Sequence, residues 1–296
     1  MAAFETVASI VAPVFFVIGL GFLYGRRIEF DEKTIANLIF YILSPFLVFY
    51  GISRTRFETG MAETALWTVV ITLAMGALAF LAGRAFKLDE ERGRLLTSTA
   101  MFANNGNMGF PLVLLAFGEK GLAYAGFFVA AGALMTFSIG IWLISGKKNW
   151  LEFLKVPMIY AVLVGIAFSV SGIALPKPAE YVVSLLGNTS MGLMLLLLGM
   201  QLGKMKLDKQ QFKLPAINSA LRLLAGPAIA LALCQALGIT GIMRGVLVLQ
   251  SAMPSAVNNF ILATKYSGKS AEVAAMVFAS TVASIVTLPF VLSLLV

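Results

Sequence analysis

Short charged segments divide the chain into ten apolar stretches. Each stretch runs for 20 or more residues without a Lys, Arg, Asp or Glu, except that the eighth contains Arg222. The ten stretches are residues 6–25, 34–53, 64–83, 95–118, 121–146, 156–176, 181–203, 214–243, 245–264 and 273–296. Because about 20 mostly apolar residues are enough to cross a bilayer as a helix, the pattern predicts an all-α polytopic membrane protein with ten transmembrane helices and short loops.

The distribution of basic residues predicts how these helices are oriented. The odd-numbered loops contain 16 Lys and Arg residues, and the even-numbered loops contain 5. Cytoplasmic loops carry the excess of Lys and Arg, so we expect both termini on the non-cytoplasmic side of the cell's inner (plasma) membrane. The same rule accounts for the net charge of +8, and we therefore expect lipid and no nucleic acid around the chain. The first stretch has its basic residues after it, not before it, which favours a membrane span over a cleaved signal peptide.

Residues that break a helix interrupt the fourth apolar stretch near its middle. They are Asn104, Asn105, Gly106, Asn107, Gly109 and Pro111. In lipid, non-helical backbone is tolerated only where protein buries it or where it lines a watery cavity. We therefore expect an interrupted helix that forms half of a binding site.

The ninth stretch contains a second break at the same depth. A breaker follows the basic residue that opens the span by ten positions in both stretches, Asn104 after Arg94 and Pro254 after Arg244. Each half of the chain has five spans, and because five is odd the second half must enter the membrane in the opposite sense. The two inverted repeats are residues 1–146 and 147–296. One proline alone could merely kink a helix, but paired interruptions at corresponding positions indicate a transporter binding site.

The ends of broken helices can bind ions of either sign. The second halves present unpaired N–H groups and a partial positive charge at their N-termini, which favour an anion such as a carboxylate. The first halves present carbonyl oxygens at their C-termini, which suit a cation such as sodium. We expect the substrate to contact Asn104, Asn105, Gly106, Asn107, Pro111, Pro254, Ser255, Val257, Asn258 and Asn259. A sodium ion, if one binds, would use Asn104, Asn105, Gln250, Ser251 and Asn258.

The apolar stretches lack the residues that catalysis or proton coupling would need. They contain no Asp or Glu, and the chain contains no His. An acid pair, a Ser/His dyad, a metal centre and a proton relay therefore all lack their groups. We expect no enzymatic activity, no catalytic or metal-binding residue and no cofactor beyond the sodium ion considered above. Polar residues of spans two and seven, Ser44 and Ser190 among them, either face the breaks or join helices.

Arg222 is the one cation inside an apolar stretch. Charged residues within a membrane are candidates for a functional role. Arg222 is about nine residues from Lys213, however, and a long basic side chain can extend its charge to the membrane interface. We favour this structural interpretation, in which the side chain reaches toward the cytoplasmic surface.

The two breaks resemble those of a known family of membrane transporters. The segments Asn104–Pro111 and Met253–Asn259, followed by Leu262, Ala263 and Tyr266, resemble the bacterial branch of the auxin efflux carrier family, and the ten-span pattern extends the resemblance over the whole chain. The resemblance implies the fold of the bile acid:sodium symporters. Spans 1, 2, 6 and 7 would form a scaffold (panel) domain, and spans 3–5 and 8–10 would form a core domain. Spans four and nine would cross at their breaks, with substrate between the two domains and an elevator-like motion of the core.

The resemblance also implies transport of organic anions: auxin in plants, and malate, malonate and similar carboxylates in bacteria. We therefore expect a secondary active or uniport transporter of small organic anions, with the anion, the bilayer and, in a homodimer, a second copy of the chain as partners. Sodium symporters of this fold carry an acidic sodium ligand near the ninth-span break, which residues 250–259 lack. The alternatives are a sodium-coupled symporter of bile-acid-like or other amphipathic acids, and a membrane receptor that senses a ligand without moving it.

Overall fold

A computed structural model describes residues 2–145, 156–205, 212–266 and 269–295. Within these ranges every regular element is helical. The α-helices are α1 (Ala2–Gly25), α2 (Glu32–Leu38), α3 (Ser44–Ser53), α4 (Thr59–Ala85), α5 (Glu90–Met101), α6 (Phe110–Met135), α7 (Ile141–Ser145), α8 (Pro157–Ser171), α9 (Lys177–Lys204), α10 (Lys213–Ala220), α11 (Gly226–Leu237), α12 (Gly241–Ser251), α13 (Val257–Tyr266) and α14 (Ser270–Ser293). The described ranges also contain π-helical segments at Ile39–Leu43, Asn105–Gly109, Thr136–Gly140 and Leu221–Ala225.

Seven helical stretches in the described part of the chain are long and apolar enough to cross a membrane. They are Glu5–Gly25, Glu32–Ser53, Thr59–Ala85, Asn105–Ile144, Lys177–Lys204, Lys213–Leu237 and Ser270–Ser293. The fourth of these has 40 residues, twice the length that one crossing needs. Its helical dihedral angles are broken at Gly118 (φ 66°, ψ −164°), a conformation that glycine adopts readily because it has no Cβ. The chain is therefore a multi-pass membrane protein, as its sequence predicts.

The remaining predicted spans are short in the structure. Helix α8 has 15 residues. The breaks divide the fourth and ninth spans, so that α5, α12 and α13 have only 12, 11 and 10 residues. Length and composition alone therefore identify fewer spans than the charge-free stretches do, and the ten-helix inverted repeat stays a prediction.

Aspartates begin two of the helices at the edge of the membrane. The Asp31 carboxylate accepts hydrogen bonds from the main-chain N–H groups of Lys33 and Thr34, and Asp89 accepts one from that of Arg92. Such N-caps satisfy donors that the first turn of a helix leaves free. The pKa of each carboxyl group lies below its ordinary value, chiefly because of the Thr34 hydroxyl at Asp31 and the Arg92 N–H at Asp89.

The first group of helices consists of α1, α2, α3, α8 and α9. Helix α1 lies along α9, and α3 packs against both α8 and α9. Glycines allow the backbones of α1 and α9 to touch. A Cβ at Gly21 or Gly25 would overlap the main chain of α9, and a Cβ at Gly199 or Gly203 would overlap that of α1. Close approach through small residues is typical of helices that pack within a membrane.

The second group of helices consists of α4 to α7 and α10 to α14. Helix α4 contacts α5 and α6, α12 contacts α6 and α11, and α14 contacts α10 and α13. The two groups meet mainly where α3 and α9 face α6 and the π segment Asn105–Gly109, and where α1 touches α14. The break of the fourth span therefore lies at the boundary between the groups.

Candidate functional site

The two breaks lie side by side and run antiparallel. Their backbones form an isolated bridge between Ala103 and Ser255. The N–H of Asn104 donates to the carbonyl oxygen of Pro254 at 2.7 Å, and the N–H of Ala256 donates to that of Phe102 at 3.0 Å. The structure thus brings together the two interruptions that the sequence places at the same depth, and each satisfies main-chain groups of the other.

After the first break, helical structure begins again with a π-helical turn. Helix α5 ends at Met101, and the Asn104 carbonyl accepts hydrogen bonds from the N–H groups of Met108 (3.3 Å) and Gly109 (3.1 Å). The N–H groups of Gly106 and Asn107 have no hydrogen-bond partner among the described residues. These amides are the free donors that the first turn of a helix leaves available to a ligand.

Buried polar side chains hold the two adjacent breaks, which together form the crossing, in place. The Asn259 amide donates to the carbonyl oxygen of Phe102 at 3.0 Å, and the Asn218 amide donates to the Ser255 hydroxyl at 2.9 Å. The N–H of Ser255 donates to the Ser280 hydroxyl at 3.2 Å. Because unpaired polar groups are costly in a membrane, these bonds hold the extended residues in one arrangement.

Arg222 is part of this crossing. Its side chain is only 3% exposed, so the expectation that it extends to the cytoplasmic surface is wrong. Its Nη1 donates to the carbonyl oxygens of Ala100 (2.7 Å) and Met101 (3.3 Å), and its Nη2 donates to that of Ser251 (2.6 Å). The side chain turns inward because two helix C-termini lie within its reach and present carbonyl oxygens that lack intrahelical partners.

A cavity lies between the crossing and the first group of helices. Its volume is about 130 Å³. The predicted residues Asn105, Gly106, Asn107 and Asn258 line it, together with Phe40, Ser44 and Gln201 from the first group and Thr72, Phe102 and Phe137 from the second. No charged side chain is among the described residues that line it. The cavity therefore presents main-chain amides, carboxamides and aromatic rings to a ligand.

Several of the residues that line the cavity lie near one face of the protein. Ala36 and Met158 lie near the starts of α2 and α8, and Gln201 lies near the end of α9. These helix ends adjoin the odd-numbered loops, which carry most of the basic residues. The cavity therefore extends toward the basic face.

Hydrogen bonds and ion pairs join the two groups on the opposite face. The Tyr50 hydroxyl donates to Glu119 at 3.2 Å and accepts from Arg54 at 2.7 Å. Arg54 also lies 3.8 Å from Glu119 and 3.6 Å from Glu180. Nearby, Glu58 pairs with Lys120 at 2.6 Å. Hydrogen bonds from Lys120 and then from a tyrosine hydroxyl hold the pKa of Glu58 below its ordinary value.

The other predicted site residues do not line the cavity. All of them are buried: Asn104, Pro111, Pro254, Ser255, Val257, Asn259, Gln250 and Ser251. Asn104, Pro254, Ser255 and Asn259 hold the two breaks together, as described above. Gln250 packs against Gly109, where a Cβ would overlap its amide oxygen. These residues therefore shape the crossing, and those that line the cavity are the ones placed to touch a ligand.

Comparison with known proteins identifies the family. The family model described as "Membrane transport protein" matches residues 6–151 and 141–292. The chain belongs to this family. Its predicted place among the auxin efflux carriers and their relatives is thereby confirmed.

Relatives in this family carry transporter names. An uncharacterized transporter of Methanocaldococcus jannaschii is 29% identical over 279 residues, which cover 90% of each chain. A putative malonate transporter of Rhizobium meliloti is 25% identical over 310 residues, covering 98% of this chain and 96% of its own. Auxin efflux carrier component 3a of Oryza sativa is 28% identical over 145 residues, covering 47% of this chain and 24% of its own.

Sequence reasoning missed several residues of the site in this family member. Asn218 is fully buried and bonded to Ser255, and Gln201 is 4% exposed in the cavity wall. The signal that could have found them is a carboxamide inside a charge-free stretch, which needs a partner in lipid. The π segments at Ile39–Leu43, Asn105–Gly109 and Thr136–Gly140 also supply cavity residues, as π segments often do at functional sites.

Proposed function

We propose that the protein transports small organic monoanions across the membrane by alternating access. The carboxylate would bind at the N-terminal ends of the second half-helices, against the free amides of Gly106 and Asn107 and the side chains of Asn105 and Asn258. The observation that carries the proposal is the meeting of two helix breaks at the wall of a cavity lined by these groups. Unpaired N–H groups and the partial positive charge of a helix N-terminus favour an anion at such a place.

The cavity wall favours one carboxylate attached to an apolar body. No Lys or Arg is among the described lining residues. A second carboxylate would therefore lose its hydration on binding without forming an ion pair in return. Phe40, Phe102 and Phe137 offer apolar surface beside the amides. Monocarboxylates with an aromatic or aliphatic body therefore fit better than fully ionised dicarboxylates such as the malonate in one relative's name.

The packing of the helices supports an elevator-type mechanism. The first group of helices would act as the scaffold and the second as the moving core, which carries both breaks. Tyr50 and Arg54 of the first group contact Glu119 of the second group on the face opposite the cavity. The conformation described here would then be the one open toward the basic, cytoplasmic face, and breaking these contacts would accompany opening to the other side.

The proposal is tested by flux measurements in proteoliposomes. We expect uptake or counterflow of a labelled aromatic monocarboxylate such as indole-3-acetate, with malonate as the competing candidate. Asn258→Ala and Asn107→Ala should reduce flux roughly tenfold or more, as loss of a charge-assisted hydrogen bond of about 1.5–3 kcal/mol predicts. Asn188→Ala is the matched control, because Asn188 lies on the exposed face of α9.

Two results would refute the proposal. One is unchanged flux in both cavity variants. The other is saturable binding of carboxylates by the wild type without any flux, which would favour a ligand-sensing receptor. A preference for malonate over monocarboxylates would leave transport in place but would show that the charge argument for the substrate class is wrong.

A further inference from the structure

The two first half-helices end at the same buried cation. The C-terminal turns of α5 and α12 direct the carbonyl oxygens of Ala100, Met101 and Ser251 at the Arg222 guanidinium. Each helix C-terminus carries a partial negative charge of about half an elementary charge. Two such ends facing one point form a site whose total charge is close to that of one anion, and a single monovalent cation neutralises it.

The surrounding chain is shaped to admit this side chain. Arg222 lies in the π segment Leu221–Ala225. Gly226 lies next to the guanidinium: a Cβ there would overlap the Ser251 carbonyl oxygen and approach Arg222 Nη2 to 2.8 Å. The described hydrogen bonds of the guanidinium all go to main-chain carbonyls, so its charge is matched by helix ends and not by a carboxylate.

We propose that Arg222 is the resident cation of the crossing and takes the place of a coupling cation such as sodium. A covalently attached guanidinium cannot leave with the substrate. Its hydrogen bonds also occupy the carbonyl oxygens that a small cation would coordinate. Carboxylate transport therefore proceeds without sodium, and a variant that lacks the guanidinium acquires a binding site for a small cation. The statement about transport rests on the function proposed above, whereas the statement about the cation site does not.

The cation site is tested by chemical rescue of Arg222→Ala. Removing one partner of a buried charge arrangement should lower the Tm of the purified protein by roughly 6–20 °C. Millimolar guanidinium chloride should restore part of this loss, at concentrations that leave the wild-type Tm unchanged. The matched control is Arg94→Ala, because Arg94 lies on α5 but its ion pair among the described residues is with the exposed Glu90. A guanidinium effect no larger in Arg222→Ala than in Arg94→Ala would overturn the proposal.

The wild type provides a second test that does not depend on folding of the variant. Its Tm should be the same in sodium chloride and in N-methylglucamine chloride of equal ionic strength. A sodium-specific rise in the wild-type Tm would overturn the proposal, because it would show a separate cation site. In proteoliposomes, carboxylate flux that requires sodium would overturn it too. Absence of any carboxylate flux, with guanidinium rescue intact, would refute the transport function and leave the resident cation in place.

Discussion

The contact between α1 and α9 allows a sharp test of the packing. We expect Gly199→Ala to destabilise the protein relative to Gly192→Ala, the same substitution seven residues earlier in α9. At Gly199 a Cβ would overlap the carbonyl oxygen of Ile18 and lie 2.7 Å from the main-chain nitrogen of Phe22. At Gly192 a Cβ would meet nothing within 4 Å.

The expected difference in stability comes from the one effect that the two substitutions do not share. Both gain helix propensity of about 1 kcal/mol, since alanine replaces glycine inside one helix. Only Gly199→Ala also forces two backbones apart, at an overpacking cost of about 1–3 kcal/mol. Main-chain atoms cannot rotate out of the way as a side chain can, so α1 must shift along its packed length. The propensity terms cancel in the comparison, which leaves a difference of about 1–3 kcal/mol.

The measurement is thermal unfolding followed by intrinsic fluorescence in one detergent for both variants. The difference corresponds to a Tm gap of roughly 2–12 °C, with Gly199→Ala the lower. Equal Tm values would show that α1 and α9 do not pack backbone to backbone at this position. That result would also count against the scaffold in the proposed transport mechanism, because the scaffold depends on the close packing of α1 against α9.

Two further predictions concern the face opposite the cavity. Arg54→Ala should weaken the contacts with Glu119 that join the two groups of helices. Because each exposed ion pair is worth about 0.2–1 kcal/mol, main-chain hydrogen exchange at residues 50–55 should become faster by a factor of about 1.4–5. Unchanged exchange rates would contradict the contact. The pKa of Glu58 is held below its ordinary value of 4.5, first by Lys120. Its stabilising contribution is therefore complete above that pH and is lost as the pH falls through the lower folded value. Glu58→Gln should reduce the drop in Tm between neutral and acidic pH, and an identical pH profile would refute this.

The locations of the helix breaks could be predicted because lipid imposes a simple rule. Backbone that leaves the helix at membrane depth must find partners, so a cluster such as Asn104–Pro111 marks a place where another part of the chain must come close. The matched position of Pro254 identified that other part. The structure pairs Ala103 with Ser255, within a few residues of the register that the matched depth implies.

The direction of individual side chains could not be predicted in the same way. A helix that is apolar all round has no amphipathic pattern from which to read its buried face. Arg222 could therefore point either to the interface or inward, and its inward direction depends on carbonyl groups of Ala100 and Ser251, far away in the sequence. Asn218 was missed for the same reason, since its partner Ser255 lies in the break between α12 and α13.

The fixed charge of Arg222 also bears on the direction of transport. Arg222 belongs to the second group of helices, the proposed moving core. The helix ends match the guanidinium locally but add no net charge, because the partial charges at the two ends of a helix cancel. Under the proposed function, Arg222 therefore gives the core one net positive charge without substrate, and a bound monocarboxylate offsets it. An inside-negative potential pulls that charge toward the cytoplasm, with about 2.3 kcal/mol per 100 mV for a complete crossing and a proportional share for a partial one. In the proposed elevator mechanism the empty site would therefore be driven back to the cytoplasmic face, where it would load again. Under the proposed function, a carrier with this charge balance would export its anion with the membrane potential as its energy source and would need no ion gradient to reset.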